Sequence, residues 1–551
     1  MRQSRGAQGI QHVQVAGVPR LLLGGQLHNS TSSDLERARD VFDTVVALGG
    51  NAVTATVSWH LVEPEEGCFV FDGVTALVEM AAERGLALTL LWFGAFKNAA
   101  STYAPRWVRA DCTRFVRAEP VGARGDSAFA RPGTPVLSVF SPRLRAADRA
   151  AFEALAAHLS SCGAAADDGG PLVMVQVENE TGLLGGSRDG SVPARAAWQA
   201  PVPSDLVDYL AAHEGNEDHS GALLDAWVDR GRRRSGSWTE VFGEGEYTDE
   251  AFMAWGFASY CEELAAAAAR VLPVTYYANA WLGPQPGQEH PGQYPSGGPA
   301  SGVIDVWKAA APSLALVAPD VYTDDVRSAV APYRRLDNPL LLPESRLAVG
   351  NLVWAVGCGA IGVNVFGVDD VRHDGQVADL YHLLAGAERI IVTAQREGRI
   401  RPVLLEPGQS QVVELGGLRW SARGSADVLR AMFLDAGVQV RTEAEGLRDE
   451  TTEGALVPSP PDMRAMGLLV ELGPDEVLVI GQGLVLEPSG LEGELVEIDD
   501  AVEGCYRDGV WQPGRNLNGD ERLNLLPLDR LAMVRVTVLR RGDMPGEAPL
   551  P

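Results

Sequence analysis

Eight short apolar runs limit what this chain can fold into. Between about residues 20 and 395 the stretches "RLLLGG", "NAVTATVSW", "LALTLLWFG", "PLVMVQVEN", "PVTYYANAW", "SLALVAPDVY", "NPLLLPES" and "GAIGVNVFG" recur, with longer amphipathic segments between them. Each run is continuously apolar rather than alternating, as a strand buried on both faces must be. Eight such strands with helices between them predict a (β/α)8 TIM barrel, whose active site lies at the C-terminal ends of the strands. A chain of 551 residues exceeds one barrel and calls for a second domain. After the first run, "SSDLERARDVFDTVVALGG" reads as a helix capped by Ser32 or Ser33 and stopped at Gly49 or Gly50. Further on, "EELAAAAARVLP" reads as a short Ala-rich helix.

Past about residue 395 the pattern changes to short alternating strands separated by Gly, Pro and Asp turns, as in "MGLLVELGPDEVLVIGQGLVLEP" and "LAMVRVTVLRR". This predicts a catalytic barrel over 1–395 and a C-terminal antiparallel β domain of sandwich type over 396–551, ending in a frayed polar "GDMPGEAPLP". Long insertions at roughly 97–145 and 181–250 should wall the mouth of the barrel.

Several function classes are disfavoured. Acidic residues outnumber basic ones 73 to 46, a formal charge of -27, which repels nucleic acid and anionic membrane surfaces. No stretch offers the roughly 18 apolar residues of a spanning helix, and "MRQSRGAQGI" lacks the apolar core of a secretory signal, so a cytoplasmic location is expected. The six cysteines stand far apart without a C-x-x-C pair, which predicts free thiols and no structural zinc. Neither a dinucleotide-binding G-x-G-x-x-G nor a serine-hydrolase G-x-S-x-G occurs at these strand ends.

Polar chemistry gathers where the runs end. Gln26, His28 and Asn29 close the first, Trp59 and His60 the second, and Trp92 and Phe93 the third, with Lys97 and Asn98 just beyond. Asn179 and Glu180 follow the fourth run, Asn279 and Trp281 the fifth, Asp320 and Tyr322 the sixth, Glu344 the seventh and Asp369 the eighth. In such a barrel the fourth and seventh strand ends face each other across the mouth. Glu180 and Glu344 then form the carboxyl pair that glycoside hydrolysis needs, one protonating the leaving oxygen and one attacking the anomeric carbon. Trp59, Trp92, Trp281 and Tyr322 offer faces for a sugar ring, and His28, Asn29, Lys97 and Asn98 offer donors for its hydroxyls. Glu178 precedes Glu180 by two residues, which puts both on one side of the strand, and is assigned a structural role. Glu63 and Glu65 should orient a loop, and "DDVRHDG" is read as a solvated loop rather than a cation site.

"VQVENETG" resembles the Asn-Glu signature of retaining barrel glycosidases in which the fourth strand carries the acid/base and the seventh the nucleophile. Together with "LLLGGQLHNSTSS", "VSWHLVEPEEGCFVFD", "LLWFGAFKN", "YAPRWV", "APDVY", "PLLLPESR" and the tail "GRNLNGDE", it resembles the bacterial branch of glycoside hydrolase family 35, the β-galactosidases. The resemblance implies Glu180 as acid/base, Glu344 as nucleophile and Asn179 beside the sugar, in a retaining exo-enzyme acting on terminal non-reducing β-D-galactosides of oligosaccharides, with no metal or organic cofactor. Two positions depart from it, His60 where a Glu is expected and Phe96 where a Trp is expected, both assigned to the barrel mouth. They keep open a barrel glycosidase for another β-linked sugar. A catalytically silent sugar-binding protein is the further alternative, and a homo-oligomer is left open.

Overall fold

The computed structural model describes residues 12–540 apart from 16, 123–135, 217–221, 436–460, 493 and 508. The expectations for the first ten residues, the inner part of the first insertion and the polar C-terminal end fall outside the described residues. Seven of the apolar runs form one parallel sheet: β1 (Leu22–Gln26), β2 (Ala52–Ser58), β3 (Ala87–Lys97), β4 (Leu172–Asn179), β5 (Thr275–Trp281), β6 (Leu316–Asp320) and β7 (Gly362–Phe366). Their order is β6-β5-β4-β3-β2-β1-β7, and every pairing is parallel.

The seventh run of the sequence, 338–345, differs from the expected continuous strand. It touches the two edges of the sheet through isolated parallel bridges, Val321 to Ser345 and Leu342 to Val363. Pro339 and Pro343 have no N–H to give, so a regular ladder cannot form there. The sheet is curled, with helices on its outer face, in the manner of a TIM-like barrel. Strands β1 and β7 approach so closely that a Cβ at Gly24 would collide with the Asn364 side chain.

Helix α1 (Leu35–Ala47) is capped by Asp34, whose carboxylate accepts from the N–H groups of Glu36 and Arg37, and not by Ser32 or Ser33. The Ser32 hydroxyl is already taken by the Thr56 N–H at 2.9 Å, and Ser33 turns back onto the Ser30 carbonyl at 2.6 Å. Further round the outer face, against β3 and β4, lie α2 (Pro142–Ser161) and α3 (Glu246–Ala269). The Ala-rich segment expected to be a short helix is the last third of α3. Small side chains there let a long helix bury Phe252, Phe257, Tyr260 and Leu264 against the barrel. Among the described residues no helix is long and apolar enough to cross a membrane.

From Ile400 onward the chain builds β8 (Ile400–Leu405), β9 (Ser410–Leu415), β10 (Leu418–Gly424), β11 (Ala465–Gly473), β12 (Glu476–Gln482), β13 (Leu484–Gly490), β14 (Val496–Arg507), β15 (Val510–Asn516) and β16 (Ala532–Arg540). These make an antiparallel six-stranded sheet, β8-β11-β12-β16-β14-β15, and a three-stranded one, β9-β10-β13. Helix α4 (Ser425–Asp435) interrupts them. The alternating-strand reading missed it because Met432, Phe433 and Leu434 are adjacent and exposed instead of spaced along one stripe.

Strand β11 belongs to two cores at once. Met466, Leu468 and Val470 join the buried cluster of the barrel with Val349, Leu352 and Val356, while Leu469 faces Val403, Trp420, Val479 and Val534. Period-two alternation thus turns one face of the β domain onto the barrel. Polar bonds seal the seam: Asp462 accepts from the Gly350 N–H at 2.9 Å, and Arg464 donates to Asp462 at 2.7 Å and to Asn351 at 2.9 Å. Leu468→Ala should therefore lower the stability of the whole chain by about 2–5 kcal/mol. Calorimetry should show one cooperative transition moving down; a separate barrel transition left in place would contradict the shared core.

Candidate active site

The end of β4 is bent out of strand geometry. Of the five non-glycine residues with left-handed φ among the described residues, four are Asn98 (50°), Ala99 (54°), Glu178 (62°) and Glu180 (47°), all at the ends of β3 and β4. Such conformations persist only where surrounding contacts over-determine them. They break the alternation that would put Glu178 and Glu180 on one side. Glu178 points outward, to Asp148 of α2 and Tyr260 of α3, and is structural as expected. Glu180 stands at the mouth.

Glu180, Asp320 and Glu344 each bring an oxygen within 4.8 Å of the other two. Glu344, which follows the bridge segment, is surrounded by donors: Gln26 Nε2 at 2.7 Å, Asn179 Nδ2 at 3.0 Å and the Tyr322 hydroxyl at 2.8 Å. Glu180 accepts from Asn98 Nδ2, and its own N–H donates to Asn279 Oδ1 at 2.9 Å. Burial first, and the charge of Glu344 second, push the Glu180 carboxyl up to about 7, with Lys97 pulling the other way. The same two causes raise Asp320 well above the ordinary carboxylate range. Asp320 takes a bond from Asn279 Nδ2 at 2.6 Å. These three carboxyl groups are the one set among the described residues close enough to share a cation, although Gln26, Asn98, Asn179, Asn279 and Tyr322 already engage their oxygens.

The other residues expected at the site divide into two groups. Asn98, Asn29, His28, Trp281 and Tyr322 keep exposed surface at the mouth. Buried instead are Asn179, Lys97 and Asn279. Asn179 bridges Lys97 Nζ (2.8 Å) and Glu344 (3.0 Å), and Asn279 engages both ends of its amide on Glu180 and Asp320. Trp59 is corrected: it is 0% exposed, gives its indole N–H to Glu63 at 2.8 Å and packs on Trp107, so it presents no face to a sugar. Trp92 likewise is enclosed and donates to Asp148. Phe96 is not at the mouth either, being fully buried against Phe257 and Tyr260; His60 is partly exposed and lies beside Tyr103.

The "DDVRHDG" loop is also less solvated than expected. Asp369 is enclosed and accepts from the His28 N–H at 2.9 Å and the Thr31 hydroxyl at 2.5 Å, while Asp370 holds the His28 ring at 2.7 Å. It ties the end of β7 to the loop after β1. Gln26 and Asp320 were visible at strand ends but had no assigned role. Only the closure of the sheet shows that they face Glu344 and Glu180.

Closely placed carboxyl groups at the C-terminal ends of a curled parallel sheet are an arrangement on which glycoside hydrolysis can run. Residues 12–117 match the model of glycosyl hydrolases family 35. Residues 377–527 match a domain of unknown function, DUF5597. A β-galactosidase of Xanthomonas manihotis is 35% identical over 185 residues, 32% of this chain and 26% of that protein; the match spans only about a quarter of the relative. Two solved β-galactosidases are distant likenesses. That of Rahnella sp. R3 has a TM-score of 0.45 at 12% identity over 96% of this chain and all (100%) of its own. That of the psychrophilic Marinomonas ef1 has 0.42 at 14% identity over 68% of this chain and 60% of its own. Likenesses so remote do not bear on the reaction.

Because Glu344 is one of the charges that raise Glu180, Glu344→Gln should lower the Glu180 pKa from about 7. Titration of carbon-labelled glutamate by NMR reads this directly, and an unmoved Glu180 would show that burial alone raises it.

Proposed function

We propose that the protein is a retaining exo-β-galactosidase that releases terminal galactose from β-D-galactosides of oligosaccharides. The observation that carries this reading is the pair Glu180 and Glu344, with oxygens within 4.8 Å of each other and opposite surroundings. Retaining enzymes hold the two carboxyl groups about 5–5.5 Å apart, against roughly 6.5–9.5 Å for inverting ones, and the observed reach supports retention. Glu344, held by three donors, attacks the anomeric carbon as a carboxylate. The bond to the leaving oxygen breaks, and Glu180 delivers its proton to that oxygen. Glu180 then takes a proton from water, whose oxygen attacks the anomeric carbon and frees Glu344. Tyr322 and Gln26 orient the nucleophile, and Asn179 lies between it and Lys97. His28 is held on Asp370, so Asn98, Asn29 and Trp281 remain for sugar contacts. That all six cysteines are free supports placement in a reducing compartment such as the cytoplasm.

One observation favours a second reading. His60, with its pKa lowered by burial, stands partly exposed beside Tyr103 where the resemblance expects a carboxylate. A change of charge at the mouth suits a β-linked sugar other than galactose.

Hydrolysis of a panel of nitrophenyl β-glycosides tests both. Galactoside turnover should fall by about 10²–10⁴ in Glu180→Gln and vanish in Glu344→Gln, and NMR should show the β-anomer released first. Release of the α-anomer would exclude retention, and turnover of a different glycoside would favour the second reading. Since Glu180 must be protonated to act, kcat should fall as pH rises through about 7; a rate flat to pH 9 would contradict its role as the acid.

A further inference from the structure

Behind the catalytic pair lies a second pair of carboxyl groups that the mechanism does not use. Glu178 and Asp148 are both 0% exposed and, among the described residues, neither meets a cation. They share donors. Tyr260 gives its hydroxyl to Glu178 Oε1 at 2.6 Å and to Asp148, and the Ala95 N–H reaches Glu178 Oε1 and Asp148 Oδ2, each at 2.9 Å. The Gly94 and Phe96 N–H groups go to Glu178 Oε2 at 3.2 and 2.8 Å, and the Trp92 indole goes to Asp148 at 3.0 Å. Three successive backbone N–H groups thus enclose one carboxyl group, an anion nest.

Those donors come from an interruption in β3. Its pairing with β4 runs from Trp92 opposite Val177 to Lys97 opposite Asn179, so residues 93–96 oppose Glu178 alone. A bulge leaves N–H groups without ladder partners and re-aims the residues after it. Here Glu178 supplies the acceptors. The re-aimed residues are Lys97, bonded to Asn179 at 2.8 Å, and Asn98, whose N–H meets the Asn179 carbonyl at 3.1 Å and whose amide meets Glu180. Gly94 has no room for a Cβ, which would lie 2.6 Å from Glu178 and 2.7 Å from Asp148.

We propose that Glu178, with Asp148 and Tyr260, is a positioning residue of the reaction: it clamps the Gly94–Phe96 bulge in the one shape that sets Lys97 and Asn98 against Asn179 and Glu180. Two like charges this close and this buried cannot both persist, so the pair holds a proton between them, and burial raises both groups. The charged groups facing Glu180 are Lys97 from β3, Asp320 from β6 and Glu344 from the bridge segment. Loosening the bulge withdraws Lys97 and Asn98, the groups that hold the Glu180 proton less tightly. The inference rests on Glu180 being the acid/base.

The test compares full-length Glu178→Ala, Glu178→Gln and Tyr260→Phe on two substrates, methyl galactoside, whose leaving group needs a proton, and dinitrophenyl galactoside, whose leaving group does not. Glu178→Ala should lose about a hundredfold in kcat on the first and less than about tenfold on the second, with the basic limb of its pH profile moved up. Glu178→Gln can still accept from Gly94 and Phe96 while donating to Asp148, and should stay within about threefold of wild type. Tyr260→Phe should show the same split at smaller size. Equal loss on both substrates with an unmoved pH limb would overturn the proposal, as would a Glu178→Gln no better than Glu178→Ala. Hydrogen exchange of amides 94–98 separates the clamp from the parent reading: it should rise in Glu178→Ala and in Tyr260→Phe. Unchanged exchange overturns the clamp, whereas wild type inactive on every glycoside overturns the parent reading alone. If Glu178→Ala does not fold, Tyr260→Phe and Glu178→Gln decide on the same criteria.

Discussion

Repulsion between carboxyl groups crowded at the C-terminal end of the barrel governs the rest of this structure. Two charges within 4.8 Å of one another repel by on the order of 3 kcal/mol or more at an effective dielectric of about 20, a large share of a domain's net stability. The protein meets this by treating the groups differently. Glu344 is given three donors, Glu180 is left with Asn98 and a nearby lysine, and Asp320 with Asn279. Burial and the neighbouring charge of Glu344 raise Glu180 and Asp320 above the ordinary carboxylate range.

The same arrangement explains the odd backbone around it. Left-handed φ at Asn98, Ala99, Glu178 and Glu180 is unfavourable taken residue by residue, yet Asn98, Glu178 and Glu180 are each fixed by several hydrogen bonds and Ala99 by its N–H to the Glu180 carbonyl, so the strain is held by the site itself. The support extends outward in layers. Behind the mouth is the buried pair Glu178 and Asp148, and behind that are α2 and α3, which deliver Asp148 and Tyr260. The β domain continues the scheme on another flank, where Asp462 and Arg464 bond to the start of the helix Val349–Gly357 that comes after Glu344.

Much of this was legible in the sequence. Continuous apolar runs marked the parallel strands, because a strand covered on both faces cannot alternate. The acids at the ends of two of them drew attention to the mouth, because a carboxylate at the end of a buried strand needs a specific reason to be there. The failures are equally physical. Pro339 and Pro343 turned an apparent strand into a bridge segment, and Ser32 was unavailable as a cap because a neighbouring strand had taken its hydroxyl. Trp59 and Trp92 looked like sugar platforms, but their indole N–H groups find buried carboxylates, which pairwise spacing cannot show.

Residue order alone therefore marked most of the parallel strands and set Glu180 and Glu344 at facing strand ends, since these derive from periodicity and from the symmetry of an eight-fold barrel. Tertiary structure decided the rest: which acids burial raises, which aromatics are wall and which are surface, and that Glu178 faces away from Glu180. Most of these depend on burial and on distant partners, such as Asp148 for Trp92 (56 residues away) and Gln26 for Glu344 (318 away). Local sequence carries no record of distances that only the closed sheet creates.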